Sequence, residues 1–174
     1  TRRKNLLLRD LDELVNQQLS KMMFANPQRI DYYDRYQEII DAYNAEQNRA
    51  TIEKTFMDLM ELASSLDTEQ QRYVREGFSS DEELSVYDLL FSENLTKQEI
   101  ETIKKVSVDL LTKIKQQIAK LDHWTDKQET KAIVDNLIRN TLWQELPNSY
   151  DVSDIQTYQK KIYEYVYMRY PEVA

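Results

Sequence analysis

Thr96–Leu121 reads TKQEIETIKKVSVDLLTKIKQQIAKL, and this stretch decides the fold. Ile100, Ile103, Val106, Leu110, Ile114, Ile118 and Leu121 step by three or four, which lines one face of an α-helix. Thr96-Lys97-Gln98-Glu99 is a capping box, with a hydroxyl for the third helical amide and a carboxylate to reach back. The same spacing recurs on both sides. Upstream, Leu8, Leu11, Val15, Leu19 and Met22 predict one helix; Ile30, Tyr33, Tyr36, Ile40 and Tyr43 a second, opened by Asn26-Pro27; and Ile52, Phe56, Leu59, Ala63 and Leu66 a third. Asp67 or Thr68 is expected to cap a short helix ending at Gly77, where a left-handed residue fits. Ser80-Asp81-Glu82-Glu83 is a second capping box, before Leu84, Tyr87, Leu89 and Leu90. Downstream, Thr125 to Gln128 is expected to cap a helix bearing Ile133, Leu137, Ile138 and Leu142. Leu146-Pro147-Asn148 breaks it, and Ser153 to Gln156 is expected to cap a last helix on Ile155, Tyr158, Ile162, Val166 and Tyr170.

The reading is therefore all-α: a multi-helix bundle of about seven to eight helices and no sheet. Composition agrees, because one Gly and three Pro in 174 residues leave too few turn formers for a sandwich, a barrel or a dinucleotide-binding sheet. Zero Cys removes disulfides, thiolate catalysis and Cys-ligated zinc, and fits a cytoplasmic setting. No run of about 18 apolar residues occurs, so no membrane span is expected. Thr1 opens the chain without Met, and Arg2, Arg3 and Lys4 lead straight into Leu6, Leu7 and Leu8, as if a helix were entered from upstream. A single helical domain of residues 1–174, cut from something larger, is expected, with a soft boundary near residues 44–50.

Net charge is −8, and the stretch Asp58–Glu93 alone carries it, with ten acidic residues against Arg72 and Arg75. From Thr96 to Leu121 the sign reverses, so a two-sided molecule is expected. Lys97, Lys104 and Lys115 fall within about 20° of one another on a helical wheel, and Lys105 follows Lys104 in sequence. Such an edge can follow a phosphate backbone, joined by Arg2, Arg3, Lys4 and Arg9 if they lie nearby, or it can be a solvated face. Twelve Tyr is a high count, and Tyr158, Tyr163, Tyr165, Tyr167 and Tyr170 crowd the end. Packing at the rim of the core, docking on a partner and base stacking are all open to them.

Catalytic machinery is not expected. A phosphate-cradling loop needs several glycines in one turn, and Gly77 stands alone. His123 is the only imidazole and sits in the polar Asp122-His123-Trp124 turn, which reads as a surface or helix-end position. Asp81-Glu82-Glu83 could attract Mg²⁺, yet carboxylates in a first helical turn are already favoured by the helix dipole. No metal ligand set is expected.

Leu84-Ser85-Val86-Tyr87-Asp88-Leu89-Leu90, Leu95-Thr96-Lys97-Gln98-Glu99, Ile103-Lys104 and Leu110-Leu111 together resemble the C-terminal region of the R subunit of type I restriction-modification enzymes. Trp124, Leu146-Pro147 with Tyr150, and Val166-Tyr167 with Tyr170 continue the likeness. Upstream, Arg29-Ile30-Asp31-Tyr32-Tyr33 and Tyr36-Gln37-Glu38-Ile39-Ile40-Asp41 extend it over nearly the whole chain. One departure is Tyr165, where the family tends to place a His. The resemblance implies a bacterial cytoplasmic subunit, an ATP-dependent endonuclease and DNA translocase using ATP and Mg²⁺ in domains outside this chain. It implies that this piece docks the motor on the methyltransferase core of modification and specificity subunits, near double-stranded DNA. Lys97, Lys104, Lys105 and Lys115 are then the expected DNA contacts, and Tyr163, Tyr167 and Tyr170 the expected partner contacts. The alternative is a structural cap that buttresses the upstream motor domains of the same subunit.

Overall fold

The computed structural model describes residues 2–172, with side chains from Lys4 to Glu172. Among the described residues there are eight α-helices, one 3₁₀ turn and no strand: α1 (Arg2–Ala25), the turn Pro27–Arg29, α2 (Ile30–Ala45), α3 (Arg49–Gln70), α4 (Arg72–Arg75), α5 (Asp81–Leu90), α6 (Lys97–Ala119), α7 (Gln128–Glu145) and α8 (Val152–Arg169). The chain divides into two compact units, Thr1–Asp81 and Glu82–Ala174. The polar run at 44–49 is the connection between α2 and α3, inside the first of them.

In the first unit α3 packs on both α1 and α2. Lys4 reaches Glu53 at 3.1 Å and Gln18 reaches Asp67 at 3.0 Å, so α1 and α3 run in the same direction. Leu8, Val15, Leu19 and Met22 meet Leu59, Leu62 and Leu66 in its core. Tyr36 of α2 closes that core with its ring, and its hydroxyl donates to Asp12 at 2.5 Å. Burial, then the bond to Asp12, pushes that hydroxyl up to about 12.

Arg29, on the 3₁₀ turn, is buried with two carboxylates. Its Nε donates to Glu69 at 2.9 Å, and its two terminal nitrogens donate to Asp81 at 3.1 and 2.7 Å. Burial alone would favour the neutral guanidine, but the bonds to Asp81 and Glu69 outweigh it and raise its basicity. This pairing corrects one boundary. Asp67 and Thr68 do not cap a new helix; α3 runs through them to Gln70, because Glu69 is needed on the inner face for Arg29 and Arg72. Gly77 then ends α4 at φ 87° in a Schellman arrangement: its amide donates to Val74 and that of Phe78 to Tyr73.

In the second unit α7 packs on both α6 and α8. The expected α6 stripe is the buried one, with Ile103, Leu110 and Ile114 fully enclosed. The Thr96 capping box is present in both directions. Two other caps are displaced. α7 is entered from Lys127 with no side-chain cap, and α8 is capped by Asp151 with Asp154 answering, two residues ahead of Ser153. Since fully buried aliphatic side chains and caps differ in worth, Leu110→Ala is expected to lower the unfolding free energy by about 3 kcal/mol and Thr96→Ala by about 1 kcal/mol in urea titrations.

Candidate functional site

Trp124 lies in the turn between α6 and α7, and its indole is fully buried. Its Nε1–H donates to the Tyr170 carbonyl at 2.7 Å, which ties that turn to the end of α8. Thr130 donates its hydroxyl to the Trp124 carbonyl at 2.6 Å and to that of Lys127 at 3.0 Å. These bonds fix the entry to α7, where Thr125 was expected to act. Tyr163 and Tyr167, one turn apart on α8, meet the indole edge-on at ring distances of 6.0 and 5.8 Å. Tyr167 keeps 38% exposure, and Lys131 of α7 stands 6.0 Å from its ring. Outward, then, the α7–α8 surface offers tyrosine faces packed on a buried tryptophan, with a cation beside the Tyr167 ring.

Tyr170 is turned elsewhere. Its hydroxyl donates to Glu82 at 2.9 Å, and Lys115 pairs with the same carboxylate while lying 5.5 Å from the Tyr170 ring. Burial, then Tyr165 and Glu82, pushes the Tyr170 hydroxyl well upward, so it remains a donor. Glu82 is partly buried, which alone would raise its carboxyl, but the bonds from Lys115 and Tyr170 win and hold it below the ordinary range. Tyr165 is buried, with Arg169 at 4.6 Å from its ring.

The four α6 lysines expected to contact DNA have different surroundings, and the fifth, Lys113, pairs with Asp109 and Glu145 at 2.9 and 3.2 Å. Lys97 and Lys105 are exposed, Lys104 is half-buried with its ammonium 5.9 Å from the Tyr87 ring, and Lys115 is committed to Glu82. Arg2 and Arg3 lie outside the residues whose side chains are described. Lys4 and Arg9 belong to the first unit, paired with Glu53 and Glu13. The acidic stretch is also largely paired: Asp58 with Lys54, Glu61 with Arg35, Glu69 with Arg29 and Arg72, and Asp81 with Arg29. Asp81 and Glu82 thus face separate cations. Among the described residues no group of three acidic, histidine or cysteine side chains is placed to hold a metal ion. His123 is exposed in the connection between α6 and α7 at φ 46°, with Asp122 and Glu172 at 3.4 and 3.6 Å. No helix among the described residues is long and apolar enough to cross a membrane.

The sequence pointed to Tyr163 and Tyr167 but not to what holds them. Trp124 has no periodic partner, and an aromatic residue in a polar turn gives no local sign of full burial. Lys131 and Arg29 likewise become notable only through residues distant in sequence.

By architecture the chain is an all-helical protein whose described surface gathers aromatic and cationic groups. It belongs to the family described as type I restriction enzyme HindI endonuclease subunit-like, C-terminal, which matches residues 1–170. It is thus the C-terminal domain of an endonuclease subunit of that kind, in keeping with the resemblance read from the sequence. No curated protein and no solved structure matches the chain.

Glu82 also sets an acid limb for stability. A carboxyl depressed in the folded state contributes its full stabilisation above its ordinary value of 4.5 and loses it as pH falls through the lower folded value. Lys115→Met is therefore expected to flatten the fall of melting temperature below about pH 4.5 and leave the curve above pH 6 parallel to wild type.

Proposed function

We propose that this chain is the docking domain of a type I restriction motor subunit, joining the motor to the methyltransferase core in the bacterial cytoplasm. The observation that carries this reading is the Tyr163–Tyr167–Lys131 face set on Trp124. Tyrosine and tryptophan are enriched where proteins meet, since they cover much area while freezing few torsions. Here the rings are already fixed by the indole, so binding loses little further entropy. Tyr170 serves this face indirectly, by holding the end of α8 through its carbonyl and hydroxyl. No catalytic role is assigned to any residue of the chain. The ATP and Mg²⁺ chemistry belongs to motor domains outside it.

Contact with double-stranded DNA is accessory in this reading. It runs through Lys97 and Lys105, with Lys104 behind them, while Lys115 is spent on Glu82. Two phosphate contacts would contribute about −2 to the slope of log affinity against log salt.

The test is a native-gel titration of the whole subunit against the methyltransferase core bound to its DNA. Tyr163→Ala with Tyr167→Ala is expected to weaken assembly at least about tenfold with the helical circular dichroism retained. Lys97→Glu with Lys105→Glu is expected to leave assembly intact and reduce the salt slope by about 2. Unchanged assembly in the tyrosine variant would remove this face from the interface, and an unchanged slope in the lysine variant would remove the DNA contact.

A further inference from the structure

The tyrosine stripe of α8 has a cation at each end. Lys160, Tyr163 and Tyr167 are spaced by three and four residues, so they share one face of the helix. Lys131 of α7 stands at the Tyr167 end, 6.0 Å from that ring. The two lysines are therefore separated by about two helical turns, or about 10 Å along α8. Lys160 is exposed and Lys131 half-buried. Among the described residues Lys160 has no hydrogen-bond or ion-pair partner, and the Lys131 ammonium has only the Tyr167 ring.

The carboxylates nearest in sequence do not serve them. Asp135, one turn after Lys131, accepts from the Gln159 side-chain amide at 3.0 Å, and Glu164, one turn after Lys160, is exposed and makes no ion pair. On α6, by contrast, Lys113 is met by Asp109 and Glu145, and Lys115 by Glu82. Two unmet ammonium groups at the edge of a rigid aromatic patch complement a partner that brings negative charge. Separate carboxylates fit this edge better than a phosphate backbone does, because Asp135 and Glu164 each lie one turn from a lysine and a continuous line of phosphates would pass over them.

We propose that the element of the methyltransferase core seated on this face is an acidic segment. Two of its carboxylates, about 10 Å apart, pair with Lys131 and Lys160, and an apolar side chain between them covers the Tyr163 and Tyr167 rings. This assignment rests on the docking role proposed for the face and adds the chemistry of its occupant.

The test is a native-gel titration of the whole subunit against the methyltransferase core, with and without its DNA, at two salt concentrations. Lys131→Glu with Lys160→Glu is expected to weaken assembly at least about tenfold with both forms of the core, and to leave the remaining affinity less sensitive to salt. Lys131→Arg with Lys160→Arg keeps both charges and is expected to assemble within about twofold of wild type. Carbodiimide coupling, which joins an amine to a carboxylate in contact with it, is expected to link Lys131 or Lys160 to an Asp or Glu of the core. The arginine variant is expected to lose those links, because a guanidinium does not couple. If Tyr163→Ala with Tyr167→Ala weakens assembly while the glutamate variant leaves it unchanged, the docking face stands and the acidic occupant falls; if neither weakens it, both fall. A loss confined to the core that carries DNA would make phosphate the occupant and overturn the proposal. So would the absence of any link to the core in a complex shown to be formed, or links from Lys131 or Lys160 to the upstream domains of the subunit or to a second copy of it.

Discussion

The hydrogen bond from the Trp124 indole to the Tyr170 carbonyl, 2.7 Å long, is the contact on which the proposed docking surface depends. It joins the turn after α6 to the end of α8, and it satisfies the one polar atom of a fully buried ring. Because the indole is fixed, Tyr163 and Tyr167 have a rigid edge to pack on, and Tyr167 can present its ring outward beside Lys131. Because α8 ends where it does, the Tyr170 hydroxyl reaches Glu82 and shares that carboxylate with Lys115. Without this anchor the same residues would be tyrosines on a frayed helix end, with entropy still to lose on binding.

Charge tells a parallel story about what a sequence count conceals. The acidic residues from Asp58 to Glu93 look like a one-signed surface when summed, yet several are spent inside their own unit. Glu69 lies between Arg29 and Arg72, Asp81 accepts two bonds from Arg29, and Glu82 takes Lys115. These pairs position elements more than they project a field. Of the α6 lysines, the exposed Lys97 and Lys105 are the ones that long-range electrostatics can use.

What was legible in the sequence was local. The α6 stripe, its capping box and the Gly77 terminus depend on residues within a few positions of each other, and each is found as read. Where two local signals overlapped, a better local partner or a tertiary contact decided between them. Asp151 rather than Ser153 caps α8, because Asp154 then stands as the reciprocal carboxylate. Thr125 loses its cap to a turn fixed by Trp124 and Thr130, and the expected break at Asp67 is overridden by an ion pair to Arg29, 40 residues away in sequence. The candidate docking face was half legible: tyrosine abundance pointed to α8, but its support from Trp124 and Lys131 comes from elements without a shared period.

The measurement that tests the central claim most directly is hydroxyl-radical footprinting of the full-length subunit, free and bound to the methyltransferase core. Tyr163, Tyr167 and the exposed Met168 are expected to lose reactivity on assembly, while exposed Trp143 of α7 keeps its own. Unchanged reactivity at Tyr163 and Tyr167 in a complex shown to be fully formed would contradict it and place the docking surface elsewhere in the subunit.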